Sequence, residues 1–214
     1  MEGAVRMSEK EKLCYVKHCV FHPFDGFYEA KNRGKGSLGI ATALLILYCV
    51  LRCVQVQYTG FIMNTNHVSR MSSITIFISA LSVLLLFVLS NWTVTTLFEG
   101  KGKLKDIYLV LCYSLVPMIL MDTIVVFVSN YVIEEEVILL TSLQAMGVVW
   151  FCFMMVAGLC TVHEYGLAKN LVTLLVTAAA AAIILFLAVL FLSLMEQMVD
   201  FADVFVKEWI RRVS

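Results

Sequence analysis

Apolar residues in this chain gather into five long runs separated by short polar segments, rather than alternating at the two-residue period of a half-buried strand. The runs cover residues 37–57, a stretch within 71–98, 107–131, 137–162 and 167–195. Each reaches the roughly 20 residues that a helix needs to cross a hydrocarbon core about 30 Å thick. Lipid offers no hydrogen-bond partner to bare backbone, so a spanning segment is a helix or a strand of a closed barrel. Continuous apolar runs do not carry the alternating pattern of a barrel. The pattern predicts an all-α bundle of five transmembrane helices over residues 37–195. A polar, amphipathic segment of 36 residues precedes it, and an amphipathic helix over 196–214 follows, continuing the fifth span or lying along the interface and carrying Met198, Phe201, Phe205 and Trp209 at three-to-four spacing.

Composition strengthens this reading. Of 214 residues, 61% are hydrophobic and 15% charged, against roughly 45–50% and 25% in soluble domains. Sixteen basic residues balance sixteen acidic ones, so no overall field gathers nucleic acid. The distribution of charge is more informative than its total. Arg6, Lys10, Lys12, Lys17, Lys31, Arg33 and Lys35 precede the first run. The next loop holds Arg70, the third Lys101, Lys103 and Lys105, the fourth only acids at Glu134 to Glu136, and the fifth Lys169. By the excess of Lys and Arg in cytoplasmic loops, the N-terminus lies inside. Lys207, Arg211 and Arg212 in the tail run against that rule and fit a helix at headgroup level. None of the seven cysteines pairs in an oxidising loop, so all are expected to be reduced.

Candidate chemistry is sparse. Cys14, His18, Cys19 and His22 are zinc-type ligands, but they crowd into nine residues of one predicted amphipathic helix with Leu13, Val16 and Val20 on its apolar side. That spacing lacks the return segment of a structural zinc site, so no metal and no cofactor is expected. Gly100-Lys-Gly-Lys lacks the spacing of a phosphate loop, and His163-Glu164 has no second His one turn on. No catalytic residues are assigned and no enzyme is expected. Two charges fall within the spans, Arg52 and Asp122. Each lies 15 residues from the inner end of its helix, about 22 Å along it. Because intramembrane charges seek a partner or a cavity, two arrangements are expected: an Arg52–Asp122 pair between the first and third spans, or Arg52 turned outward towards Gln55 and Gln57 with Asp122 protonated or facing water. Pro117 predicts a kink near Asp122, and the run Ala178 to Ala182 predicts close helix packing.

Three polar pieces share the expected cytoplasmic side: HPFDGFYEAK from His22, EGKGKLKDIY from Glu99, and HEYGLAK from His163. Each combines acids, bases and aromatics, so His22, Asp25, Tyr28, Glu99, Lys105, Asp106, His163, Glu164 and Tyr165 are the expected partner-binding residues, or else a hydrogen-bonded plug over the bundle. The lipid bilayer and other membrane or cytoplasmic proteins are the expected partners. The competing reading is a small transporter or channel with Asp122 and Arg52 lining its path.

These pieces, with NWTVTTLFEGKGKLKDIYLVLCYSLVP from Asn91, resemble the prokaryotic branch of the Yip (Ypt-interacting protein) domain family. The resemblance implies a five-helix membrane bundle with a cytoplasmic N-terminus. It carries over to His22, Pro23, Phe24, Asp25, Gly26, Asn91, Trp92, Gly100, Lys105, Asp106, Tyr113, Pro117, His163 and Tyr165, and establishes no catalytic residue. Eukaryotic members are associated with Rab-type GTPases at Golgi and endoplasmic reticulum. With only 36 residues before the first span, this chain is expected instead to be a non-enzymatic protein of a bacterial plasma membrane, organising a membrane complex.

Overall fold

A computed structural model describes residues 9–64 and 72–213. Arg6, Arg70 and Met71, used above for charge and for the second run, lie outside the described residues. The described chain forms seven helices: α1 Glu9–Phe21, α2 Pro23–Asn32, α3 Leu38–Tyr58, α4 Ser73–Leu97, α5 Leu104–Val128, α6 Val137–His163 and α7 Leu167–Val213. A 3-10 turn at Glu134–Glu136 leads into α6. Five of the helices, α3 to α7, are long and apolar enough to cross a membrane. Except at the end of α7, they begin and end within a few residues of the predicted runs, because those runs are bounded by the charges or turn residues that stop a span.

The five helices are unequal. Two-thirds (67%) of the most apolar window of α5 is buried, against 11% for α4 and 6% for α7. So α5 is the central post, with α3 and α6 packed against it, while α4 and α7 pair at the side. The main core joins Leu45, Ile107, Leu111, Leu115, Met154 and Leu159 from α3, α5 and α6. Pro117 is buried inside α5, which runs unbroken through it.

The two ends add detail to the expected helices. The N-terminal segment holds two helices, and the one carrying Cys14, His18 and Cys19 is packed rather than lying on the surface. Proline ends a helix at the residue before it and suits the first turn of the next, and Pro23 here closes α1 at an elbow on His22 and opens α2. The two helices pack on each other and against α5 and α6. Tyr15 donates a hydrogen bond to the Gly26 carbonyl, and a Cβ on Gly26 would stand 2.8 Å from Cys19 Cα. Val16 and Val20 are buried as expected, but Leu13 is 63% exposed and Tyr15 and Cys19 take the inner positions. The four zinc-type ligands are thereby divided: Cys19 is interior, Cys14 exposed, and the His18 and His22 rings stack at 5.3 Å. Burial beside Tyr15 pushes the Cys19 thiol up to about 12. All seven cysteines are free.

At the other end of the chain the tail helix continues the fifth span, one of its two expected arrangements, and α7 is a single helix of 47 residues. At 1.5 Å per residue it is about 70 Å long, more than twice the hydrocarbon core. Its basic residues pair along the helix, Lys207 with Asp203 at 2.6 Å and Arg212 with Glu208 at 3.0 Å. The alanine run at 178–182 is exposed or half-buried rather than packed. Polar residues hold α7 instead. Asn170, Thr173 and Thr177 form a buried stripe at three- and four-residue spacing, with Asn91 Nδ2 of α4 donating to Thr177 Oγ1 at 3.2 Å and Asn170 Nδ2 donating to the Val156 carbonyl of α6 at 3.1 Å.

Candidate functional site

The ends of α2, α4, α6 and the start of α5 meet in a polar cap at the basic end of the bundle. Its construction begins with two helix terminations. A common helix stop puts one residue in the left-handed conformation and bonds the next N–H back five residues. Both α4 and α6 stop this way, on Glu99 (φ 58°) and Glu164 (φ 57°). The Gly100 N–H donates to the Thr95 carbonyl at 2.7 Å, and the Tyr165 N–H to the Cys160 carbonyl at 3.1 Å. Glycine is the usual residue there, and glutamate takes the position in both helices.

Glu164 has two partners. Its Oε1 accepts from Lys31 Nζ of α2 at 2.9 Å and its Oε2 from Lys101 Nζ at 2.6 Å. One carboxylate thus ties the N-terminal hairpin to the Gly-Lys-Gly-Lys loop and to the end of α6. Beneath it His163 is 2% exposed. The Gly102 N–H donates to its Nδ1 at 3.3 Å, so the neutral ring carries its proton on Nε2, which has no partner among the described residues. Tyr165 stacks on His163 at 5.3 Å, donates its OH to the Phe98 carbonyl at 2.8 Å, and receives Lys169 Nζ 4.3 Å above its ring. The loop glycines have a steric reason. A Cβ on Gly100 would lie 2.6 Å from His163 Nδ1 and 2.8 Å from Tyr165 OH, and one on Gly102 2.5 Å from Val162 Cγ1.

The nine predicted partner-binding residues therefore separate. Glu99, Lys105, Asp106, His163, Glu164 and Tyr165 converge on the cap. His163 and Tyr165 are buried packing residues, and Asp106 Oδ2 caps α5 by accepting from the Lys103 N–H at 3.1 Å. Glu99, Lys105 and Glu164 are exposed. His22, Asp25 and Tyr28 lie apart, exposed on the elbow and outer face of α2. That helix runs down the wall of α6. Lys31 sits at Glu164, Phe24 packs edge-on to Phe153 at 6.4 Å, and Phe21 before the elbow does the same to Trp150. Trp150 is 13 residues from His163, roughly 20 Å along the helix.

In the far half of the bundle, Arg52 and Asp122 form no direct ion pair among the described residues. Arg52 donates instead to Gln55 Oε1 at 2.7 Å. The Asp122 carboxyl stands beside the Gln55 and Gln144 amides with Arg52 as its cation. The two charges share a depth, as their positions predicted, but Gln55 connects them. Sequence reading passed over Lys31 and Lys101 as binding groups and named Gln55 as a group towards which Arg52 turns, the contact found here. A signal existed for one other missed feature, the Asn170, Thr173 and Thr177 stripe, whose spacing marks one face of an otherwise apolar helix.

The cap has a pH signature. Hydrogen bonds from Lys101 and then Lys31 hold the Glu164 carboxyl down from its ordinary 4.5 to about 2. An acid depressed in the folded state stabilises it above the ordinary value and stops doing so as pH falls through the depressed one. Amide protection in α2 and the Gly-Lys-Gly-Lys loop, corrected for intrinsic exchange, should fall between about pH 4.5 and 2. Glu164→Gln should lack this step, and equal titration of both proteins would remove the cap role.

Five apolar spans closed at one end by a polar cap define a polytopic helical membrane protein. A model of the Yip1 domain matches residues 17–191, most of the chain, and the protein belongs to that family. No curated protein and no solved structure matches the chain at a significant level.

Proposed function

We propose that this Yip1-domain protein is non-enzymatic and that it binds or organises other proteins through its cytoplasmic end, with α2 as the reading surface. The observation that carries this is the division of α2 into two faces. Phe27 and Ala30 are buried and Lys31 is anchored on Glu164, while Asp25 and Tyr28 are exposed beside Phe24. A helix locked on one side displays its other side without a large loss of freedom on binding. Exposed aromatics such as Tyr28 and Phe24 are the side chains enriched at protein interfaces, and Asp25 beside them adds charge complementarity. The excess of Lys and Arg at this end supports its cytoplasmic placement. A bacterial plasma membrane belongs to the same reading and rests on the motif resemblance alone.

A photo-reactive residue at position 28 should form discrete protein adducts in native membranes. Asp25→Arg should reduce them about tenfold with membrane yield and thermal stability unchanged. Adducts to lipid only, or adducts indifferent to Asp25→Arg, would overturn the proposal.

A further inference from the structure

Two openings of different character share Arg52. One is a polar pocket of about 150 Å³ lined by Gln55, Thr59, Asn64 and Gln144 as well as Arg52. The other is a furrow of about 260 Å³ between α3 and α4, where Tyr48, Ile76, Ala80, Val83 and Leu84 surround the stem of the same arginine. The furrow continues at Val83 and Leu84 into an almost wholly apolar cavity of about 360 Å³, which Phe87, Leu111, Phe151 and Leu174 help to line. An apolar track thus ends at a guanidinium and opens into a polar chamber.

The chamber has an unmet requirement. Gln55 is 7% exposed, and its Oε1 is taken by Arg52. Its Nε2 faces the Asp122 carboxyl without a hydrogen bond of normal length, so this buried donor is incompletely satisfied. An exposed guanidinium beside an incompletely satisfied amide donor suits an acceptor-rich group such as phosphate. Depth agrees. Arg52 is 14 residues from Leu38, about 21 Å along α3, which leaves its tip near the far headgroup level of a core roughly 30 Å thick. The Asp122 carboxyl beside Gln55 offers an acceptor to the ammonium of a headgroup that carries an amine as well as a phosphate.

We propose that this track seats one zwitterionic glycerophospholipid of the leaflet opposite the cap, its phosphate on Arg52 and Gln55 and an acyl chain in the furrow between α3 and α4. The site is independent of the α2 surface and stands or falls separately from it.

The test uses full-length protein in mild detergent with pyrene-labelled phosphatidylethanolamine, and pyrene-labelled diacylglycerol as the lipid without phosphate. Wild-type protein should retain the phospholipid at one copy per chain and the diacylglycerol far less. Arg52→Gln should lower phospholipid retention about tenfold, the scale of one charge-assisted hydrogen bond. Ala80→Phe, which fills the furrow and leaves the Arg52–Gln55 bond in place, should lower it similarly and carries the test if Arg52→Gln does not fold. Lys105→Ala at the cap should change nothing. Equal retention of the two lipids, or unchanged retention by folded Ala80→Phe, would overturn the site. Displacement of the labelled lipid by inorganic phosphate alone would reassign the pocket to the free anion.

Discussion

Phe27→Ala should lower stability by about 3–5 kcal/mol, the usual cost of emptying a closed aromatic site. Phe27 is fully buried, and its ring occupies the crevice between α2, α5 and α6. There Gly158 leaves so little room that a Cβ would stand 2.9 Å from Phe27 Cδ2 and 2.6 Å from Val110 Cγ1. Alanine leaves a cavity that the tightly packed helices cannot collapse to fill. The result should appear as a lower Tm in detergent and as faster proteolysis before residue 36, since Phe27 is the main apolar anchor of the hairpin. The Lys31–Glu164 pair, exposed on one side, is too weak to hold α2 alone. An unchanged Tm would show that α2 is held elsewhere.

Gly60→Ala should be comparably severe, with a loss of about 3 kcal/mol or more, at the opposite end of the bundle. A Cβ built on Gly60 falls 2.0 Å from the Ser129 carbonyl oxygen and 2.6 Å from its carbon. The obstacle is backbone, which has no rotamer to yield. The same junction depends on the Gly60 N–H donating to Ser129 Oγ at 2.9 Å and on Asn130 Nδ2 donating to the Tyr58 carbonyl at 3.1 Å. Separating the ends of α3 and α5 disturbs these bonds and the turn of α3 that carries Gln55. Thermal unfolding should show the loss directly. Gly166→Ala, where no atom lies within 4 Å of the new methyl, is the control and should leave Tm unchanged. A benign Gly60→Ala would mean that the two ends are not in contact in the membrane.

Much of the architecture was legible in the chain. Five spans, all but one of their limits and the clustering of basic residues at one end follow from hydropathy and from counting along a helix. These are local properties, set by the cost of placing charge and bare backbone in lipid. Membership of the Yip1 domain family was legible too, because several motifs occur in order.

Tertiary structure alone decided which groups meet. Lipid and a helix neighbour are equally apolar, so a hydrophobic run does not reveal which of its faces touches protein. For that reason α5 became the central post while α4 and α7, no less apolar, stand at the side. The folding of the N-terminal segment into a hairpin against α5 and α6 depended on fits of shape, Phe27 beside Gly158 and Gly26 against Cys19. Glu164 found Lys31 from 133 positions away, and Gln55 came between two charges that sequence had set at one depth. Sequence determined which residues enter the membrane and how deep they sit, because lipid acts on each helix separately; only packing between helices decided their partners.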